Sequence, residues 1–191
     1  MLALTIGYTG ITRGTNYAHY TSWSFTLCTV YMVTDLFARK HVSPLLAPLA
    51  YAVSQSVACL TAGMYAADSG LVREAYRDNN DVLVEFANLA LHVFPATVVM
   101  LWLAHTRTDL AACKMAQRAD YNILCVLVTL SFCAVYFYSF SPRHQYMVVI
   151  NNTYIRSITM LIHAVFAALG AWGTLCPRDW GRTQNIALKI K

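Results

Sequence analysis

The stretch FANLALHVFPATVVMLWLA, Phe86 to Ala104, decides the fold: its nineteen residues include no Asp, Glu, Lys or Arg. The hydrocarbon layer of a bilayer is ~30 Å thick, and about 20 mostly apolar residues cross it as one helix. This stretch has that length and that chemistry. Two of its residues do not belong in lipid, Asn88 and His92, and they raise the question of function.

Outward from it, four further stretches of the same kind can be placed. The spacing predicts transmembrane helices at about 20–38, 45–66, 82–104, 121–141 and 155–175. Only 12% of the residues are charged and 58% are hydrophobic, whereas a soluble domain carries about a quarter of charged residues. The apolar residues come in long blocks, without the alternation in segments of about ten that a β-barrel requires. The expected fold class is all-α, a polytopic membrane helix bundle.

Short connections make neighbouring spans antiparallel. With no Gly/Ser linker, repeat or low-complexity tract, residues 1–191 read as one transmembrane domain ending in a basic tail, 176–191. The first nineteen residues place an apolar run, Leu2 to Ile6, before Arg13, the reverse of a secretory signal, so no cleavage is expected.

Lys and Arg on the flanks predict the orientation. The N-terminal stretch, second loop and fourth loop carry Arg13, Arg73, Arg77 and Arg143. The other side carries Arg39, Lys40, Arg107, Lys114, Arg118, Arg178, Arg182, Lys189 and Lys191, nine against four. The C-terminus is therefore expected in the cytosol, or in the matrix of a mitochondrion. Topology and anionic headgroups account for the net charge of +5. Membrane lipids are the expected partners, and nucleic acid is not.

Six cysteines are present, without a CxxC pair or the Cys/His spacing of a zinc site, so no metal centre is expected. Cys28, Cys59, Cys125 and Cys133 fall within spans and read as small core residues.

Polar side chains within spans need partners on neighbouring helices or a polar pocket. Thr21, Thr26, Asp35, Ser54, Gln55, Ser56, Asn88, His92 and His163 are the candidates. Asn88 and His92 are four residues apart and share a helix face. Pro95, lacking an N–H, is expected to bend the helix and free a carbonyl near His92. Interhelical hydrogen bonding, worth about 0.6 to 2 kcal/mol per bond, is the bland reading.

The chemical reading pairs the imidazole with a hydroxyl. A threonine hydroxyl is a weak nucleophile until a base takes its proton, and a neutral imidazole is suited to do so. Thr21 and Thr26 both qualify. With entry at Phe86, His92 lies about 9 Å below the headgroups at 1.5 Å per residue, a depth closer to Thr26.

YTSWSFTLCTVYM, from Tyr20, resembles the first functional helix of the androgen-induced-protein-like family, polytopic membrane threonine hydrolases that split fatty-acid esters of hydroxy fatty acids. FANLALH resembles that family's histidine helix, including the Asn four residues before the His, and YFYSFSPRHQYMVV echoes an aromatic and His segment. The likeness runs from about Tyr17 to Trp172. It implies Thr21 as nucleophile, with Thr26 as the alternative after a one-residue slip, His92 as base, and Asn88 orienting the ring or donating to an oxyanion. The family carries a further helix ahead of the threonine helix, so a bundle one helix short is the expectation here.

Two other function classes stay open. One is a non-catalytic accessory subunit packed with other membrane subunits in a large assembly, such as a mitochondrial respiratory complex, with a bound lipid in the cleft. The other is a haem protein with His92 and His163 as axial ligands. Without haem, no cofactor is expected. The compartment follows the function, endoplasmic reticulum for a lipid hydrolase and mitochondrial inner membrane for the subunit.

Three minor features carry expectations of their own. Asp35 is expected to pair with Arg39 one turn on. Asn151 to Thr153 form an N-x-T sequon expected to remain a plain polar loop. Gly170, Gly173 and the nearby alanines give the last span a small face suited to close helix contact.

Overall fold

The computed structural model describes residues 20–38, 43–67, 82–106, 118–139 and 153–173. Side chains of Met64, Ala67, residues 82–91, Thr106, Ser139 and residues 171–173 lie outside that description. So do the basic tail, the sequon's Asn151 and Asn152, and Arg39.

Five helices make up the described fold: α1 Tyr20–Ala38, α2 Leu46–Ala67, α3 Val82–Thr106, α4 Ala119–Ser139 and α5 Thr153–Gly173. No strand occurs among the described residues. The fold class is therefore all-α, as the apolar blocks require. The last two helices each begin two residues earlier than hydropathy places them. Ala119, Asp120, Thr153 and Tyr154 are helical by hydrogen bonding, although they belong to the polar collar rather than the apolar core.

Local chemistry explains where α2 begins. Leu46 N–H donates to the Ser43 carbonyl at 2.9 Å, and Leu45 N–H to Ser43 Oγ at 3.4 Å. Ser43 thus caps the helix, and Pro44 follows it in the position where a missing N–H costs nothing. On the far side of the gap, Tyr121 of α4 donates its hydroxyl to the Pro44 carbonyl at 2.7 Å.

Three helices have stretches long and apolar enough to cross a membrane: Leu46–Gly63, Ala119–Tyr138 and Thr153–Gly170. Among the described residues of α3, His92–His105 is a further apolar stretch. The distribution of side chains is that of a protein solvated by lipid. Phe37, Leu36, Leu101, Ile123, Leu127, Val135, Leu161 and Leu169 are all exposed, a larger apolar surface than soluble monomers present. Ser24, Ser54, Ser56, Thr129 and His163 are completely buried. The chain is a multi-pass integral membrane protein.

Helix α2 is the hub of the bundle. It packs against each of the other four helices, while α1 also packs on α3 and α4 on α5. Gly170 of α5 is a close approach, where an added Cβ would come within 2.7 Å of Tyr51 Cδ1 and 3.5 Å of the Pro48 carbonyl. Of the small face of α5, Gly170 and the buried Ala167 are thus used inside the bundle. Gly170→Ala must tilt the Tyr51 ring or part the two helices. The expected cost is about 1–3 kcal/mol, the usual range for overpacking, read as a lower unfolding midpoint of the purified protein in detergent.

One sequence expectation changes here, and another, the pairing of Asp35 with Arg39, lies outside the described residues. Asp35 accepts a hydrogen bond from the Trp102 indole at 2.8 Å, so its described partner comes from α3, a contact that helical spacing along α1 cannot show. Cys59 is exposed, whereas Cys28, Cys125 and Cys133 are buried as core residues.

Candidate functional site

Helix α1 turns two consecutive residues toward two different histidines. Thr21 Oγ1 lies 2.8 Å from His92 Nε2 of α3. Tyr20 Oη lies 2.7 Å from His163 Nε2 of α5. Successive residues on a helix point about 100° apart, which lets neighbouring residues address neighbouring helices.

Thr21 is 5% exposed, and His92 is half-buried. With the ring proton on Nδ1, the Thr21 hydroxyl donates to the Nε2 lone pair. This is the alignment in which a base removes the proton of a nucleophile. His92 is ten residues into α3, which places the pair about 15 Å along that helix at 1.5 Å per residue.

The other threonines with described bonds behave differently. Thr26, Thr34 and Thr97 donate back to carbonyls four residues earlier on their own helices, at 2.8, 2.7 and 3.2 Å. Thr26 is exposed, with its hydroxyl on the Ser22 carbonyl. The structure therefore brings Thr21, not Thr26, to His92. The depth argument that favoured Thr26 misjudged how far α1 and α3 are offset along their axes.

Asn88 lies on α3 one turn before His92, and its side chain is outside the described residues. Pro95 is fully buried within the same helix. Beside it, Gln55 of α2 donates its side-chain amide to the Ala96 carbonyl at 3.1 Å. This bond ties α2 to α3 one turn below His92.

His163 is wholly buried, and both its ring nitrogens are engaged. Nδ1–H donates to the Thr159 carbonyl at 2.7 Å, one turn back on α5. That bond fixes the tautomer and leaves the Nε2 lone pair for the Tyr20 hydroxyl. Rings of α4 complete the surroundings: Tyr136 and Phe132 have centroids 4.7 and 6.3 Å from Tyr20. His163 as found does not suit an axial haem ligand, since neither nitrogen faces an open space.

Comparison with protein-family models, curated proteins and solved structures gives no match. The site must therefore be read from its own chemistry. Among the described residues no group of three or more His, Cys, Asp or Glu could hold a metal ion.

Sequence reasoning singled out Thr21 and His92 but passed over Tyr20. Placed at the start of a span, Tyr20 looks like an ordinary interfacial aromatic. Its adjacency to Thr21 and the isolated His163 within the last span were the available signals.

Proposed function

We propose that the chain is an intramembrane lipid-ester hydrolase in which Thr21 is the nucleophile and His92 the general base. The observation that carries the reading is the 2.8 Å contact between Thr21 Oγ1 and His92 Nε2, between two helices, whereas the hydroxyls of Thr26, Thr34 and Thr97 bond carbonyls of their own helices.

The chemistry balances with these two side chains and water. Thr21 Oγ1 attacks an acyl carbonyl carbon and passes its proton to His92 Nε2. Collapse of the tetrahedral intermediate breaks the ester C–O bond, and the departing alkoxide takes the proton from Nε2. Water, deprotonated by the same nitrogen, then adds to the acyl-threonine carbonyl and releases a fatty acid and the free hydroxyl. Asn88, one turn from His92 on α3, is the residue proposed to orient the ring or donate to the oxyanion.

The pair lies between two helices of a membrane bundle, which favours a lipid-soluble substrate such as a fatty-acyl ester. The resemblance of the Thr and His helices to the androgen-induced-protein-like hydrolases points the same way, and with it an endoplasmic-reticulum membrane. The excess of Lys and Arg on one side supports a cytosolic C-terminus in that reading.

The test is covalent. A long-chain fluorophosphonate should add one phosphonyl group to the purified protein, and peptide mass spectrometry should place it on Thr21. An adduct elsewhere, or none after prolonged exposure, overturns the assignment.

A further inference from the structure

We propose that Tyr20 and His163 are positioning residues for Thr21, a hydroxyl–imidazole pin on α5 that sets the rotation of α1 so that Thr21 meets His92. The inference rests on the hydrolase reading for its catalytic meaning, but its geometry does not.

The argument begins with what holds α1. Along its length α1 packs on α2 and α3, and ring contacts of Tyr20 and Trp23 reach α4. Apolar contacts of this kind are non-directional and resist rolling weakly. Hydrogen bonds are directional. Thr21 to α3 supplies one directional contact, and Tyr20 to α5 supplies another from a different side of α1. Asp35, about four turns further along α1, also accepts from Trp102 of α3, so it is the Tyr20 bond that adds a directional contact to a second helix at the level of Thr21.

The required tolerance is small. An atom about 4.5 Å from a helix axis moves about 1 Å when the helix rolls by roughly 15°. A displacement of about 1 Å at a reacting group can cost about 100-fold in rate. The α5 end of the pin is built rigidly. His163 is wholly buried, its tautomer is set by the 2.7 Å bond to the Thr159 carbonyl, and the Tyr20 ring meets it at 63° with centroids 5.4 Å apart. The acceptor lone pair therefore points in one fixed direction.

The experiment compares three variants that retain packing. Tyr20→Phe deletes one hydroxyl. His163→Phe keeps a ring and deletes the acceptor. His163→Gln keeps an acceptor near the place of Nε2 and loses the ring. Fluorophosphonate labelling at Thr21 should slow by about 10- to 100-fold in Tyr20→Phe and His163→Phe, and His163→Gln should recover most of the rate. If His163 only fills space, the Phe variant will match or exceed the Gln variant, and the proposal fails.

A second readout does not depend on reactivity. In protein carrying 15N-histidine, the Nε2 resonance of His92, assigned by its loss in His92→Gln, should shift in Tyr20→Phe and His163→Phe, although neither residue touches His92 in the described contacts. Wild-type protein that takes no probe would reject the hydrolase, while the resonance shifts would still uphold the pin. An unchanged His92 resonance in a folded Tyr20→Phe variant would reject the pin, whatever the labelling shows.

Discussion

His92→Ala should slow fluorophosphonate labelling at Thr21 by about 10²- to 10⁴-fold, the range that a general base contributes. Thr21→Ala should give no adduct at all, because the attacking oxygen is gone. Thr21→Ser retains that oxygen and loses a methyl group, so it should remain within about tenfold of wild type, the loss of fewer than 1.4 kcal/mol. Thr26→Ala should leave the rate unchanged, since that hydroxyl faces outward and is spent on the Ser22 carbonyl. The time course of probe incorporation, read by in-gel fluorescence, separates these outcomes. Equal rates in wild type and His92→Ala would mean that the 2.8 Å contact is structural glue.

Tyr136→Ala is expected to be the most damaging single change to stability, at about 3–5 kcal/mol, the range for truncating a large buried ring. Tyr136 has no exposed surface and lies in a cluster with Tyr20, Val53, Val57, Cys133 and Phe137. Its ring centroid is 4.7 Å from that of Tyr20, 5.5 Å from Trp23 and 5.7 Å from Phe137. In lipid, where the solvent is as apolar as the core, such packing is a main source of helix association. Equilibrium unfolding in mixed micelles measures the loss, and a change below about 1 kcal/mol would show that the cavity collapses cheaply. Tyr136→Phe, which keeps the ring, should cost far less.

The fold was legible because charge and hydropathy come in blocks. Tyr20 to Ala38 and Val82 to Ala104 could be outlined from composition alone, since a bilayer admits little else over such lengths. Helix ends were less legible. Ala119 and Thr153 extend their helices into the polar collar, where hydropathy has no contrast. Of the site, His92 stood out as a polar residue in an apolar span close to Pro95, and Thr21 as one of two threonines of the first span whose hydroxyl it could serve. The choice between Thr21 and Thr26 could not come from depth, because the axial offset of two helices depends on tertiary packing and leaves no trace in either span. The bonds from Trp102 to Asp35, Gln55 to Ala96 and Tyr20 to His163 join residues 67, 41 and 143 positions apart. Local spacing carries no information about partners so distant.

The way the helices meet divides the molecule unequally. Helices α1, α2 and α3 touch one another in every pairing, while α4 and α5 touch each other and dock on α2. Thr21 and His92 both belong to the first group, and the described pair is thus encoded whole before Thr106. A nascent chain holds both members of the hydroxyl–imidazole pair once its third helix enters the membrane, but not yet the Tyr20–His163 bond proposed to align them. The later hairpin brings His163, so the alignment proposed for Thr21 would be completed only when α5 docks.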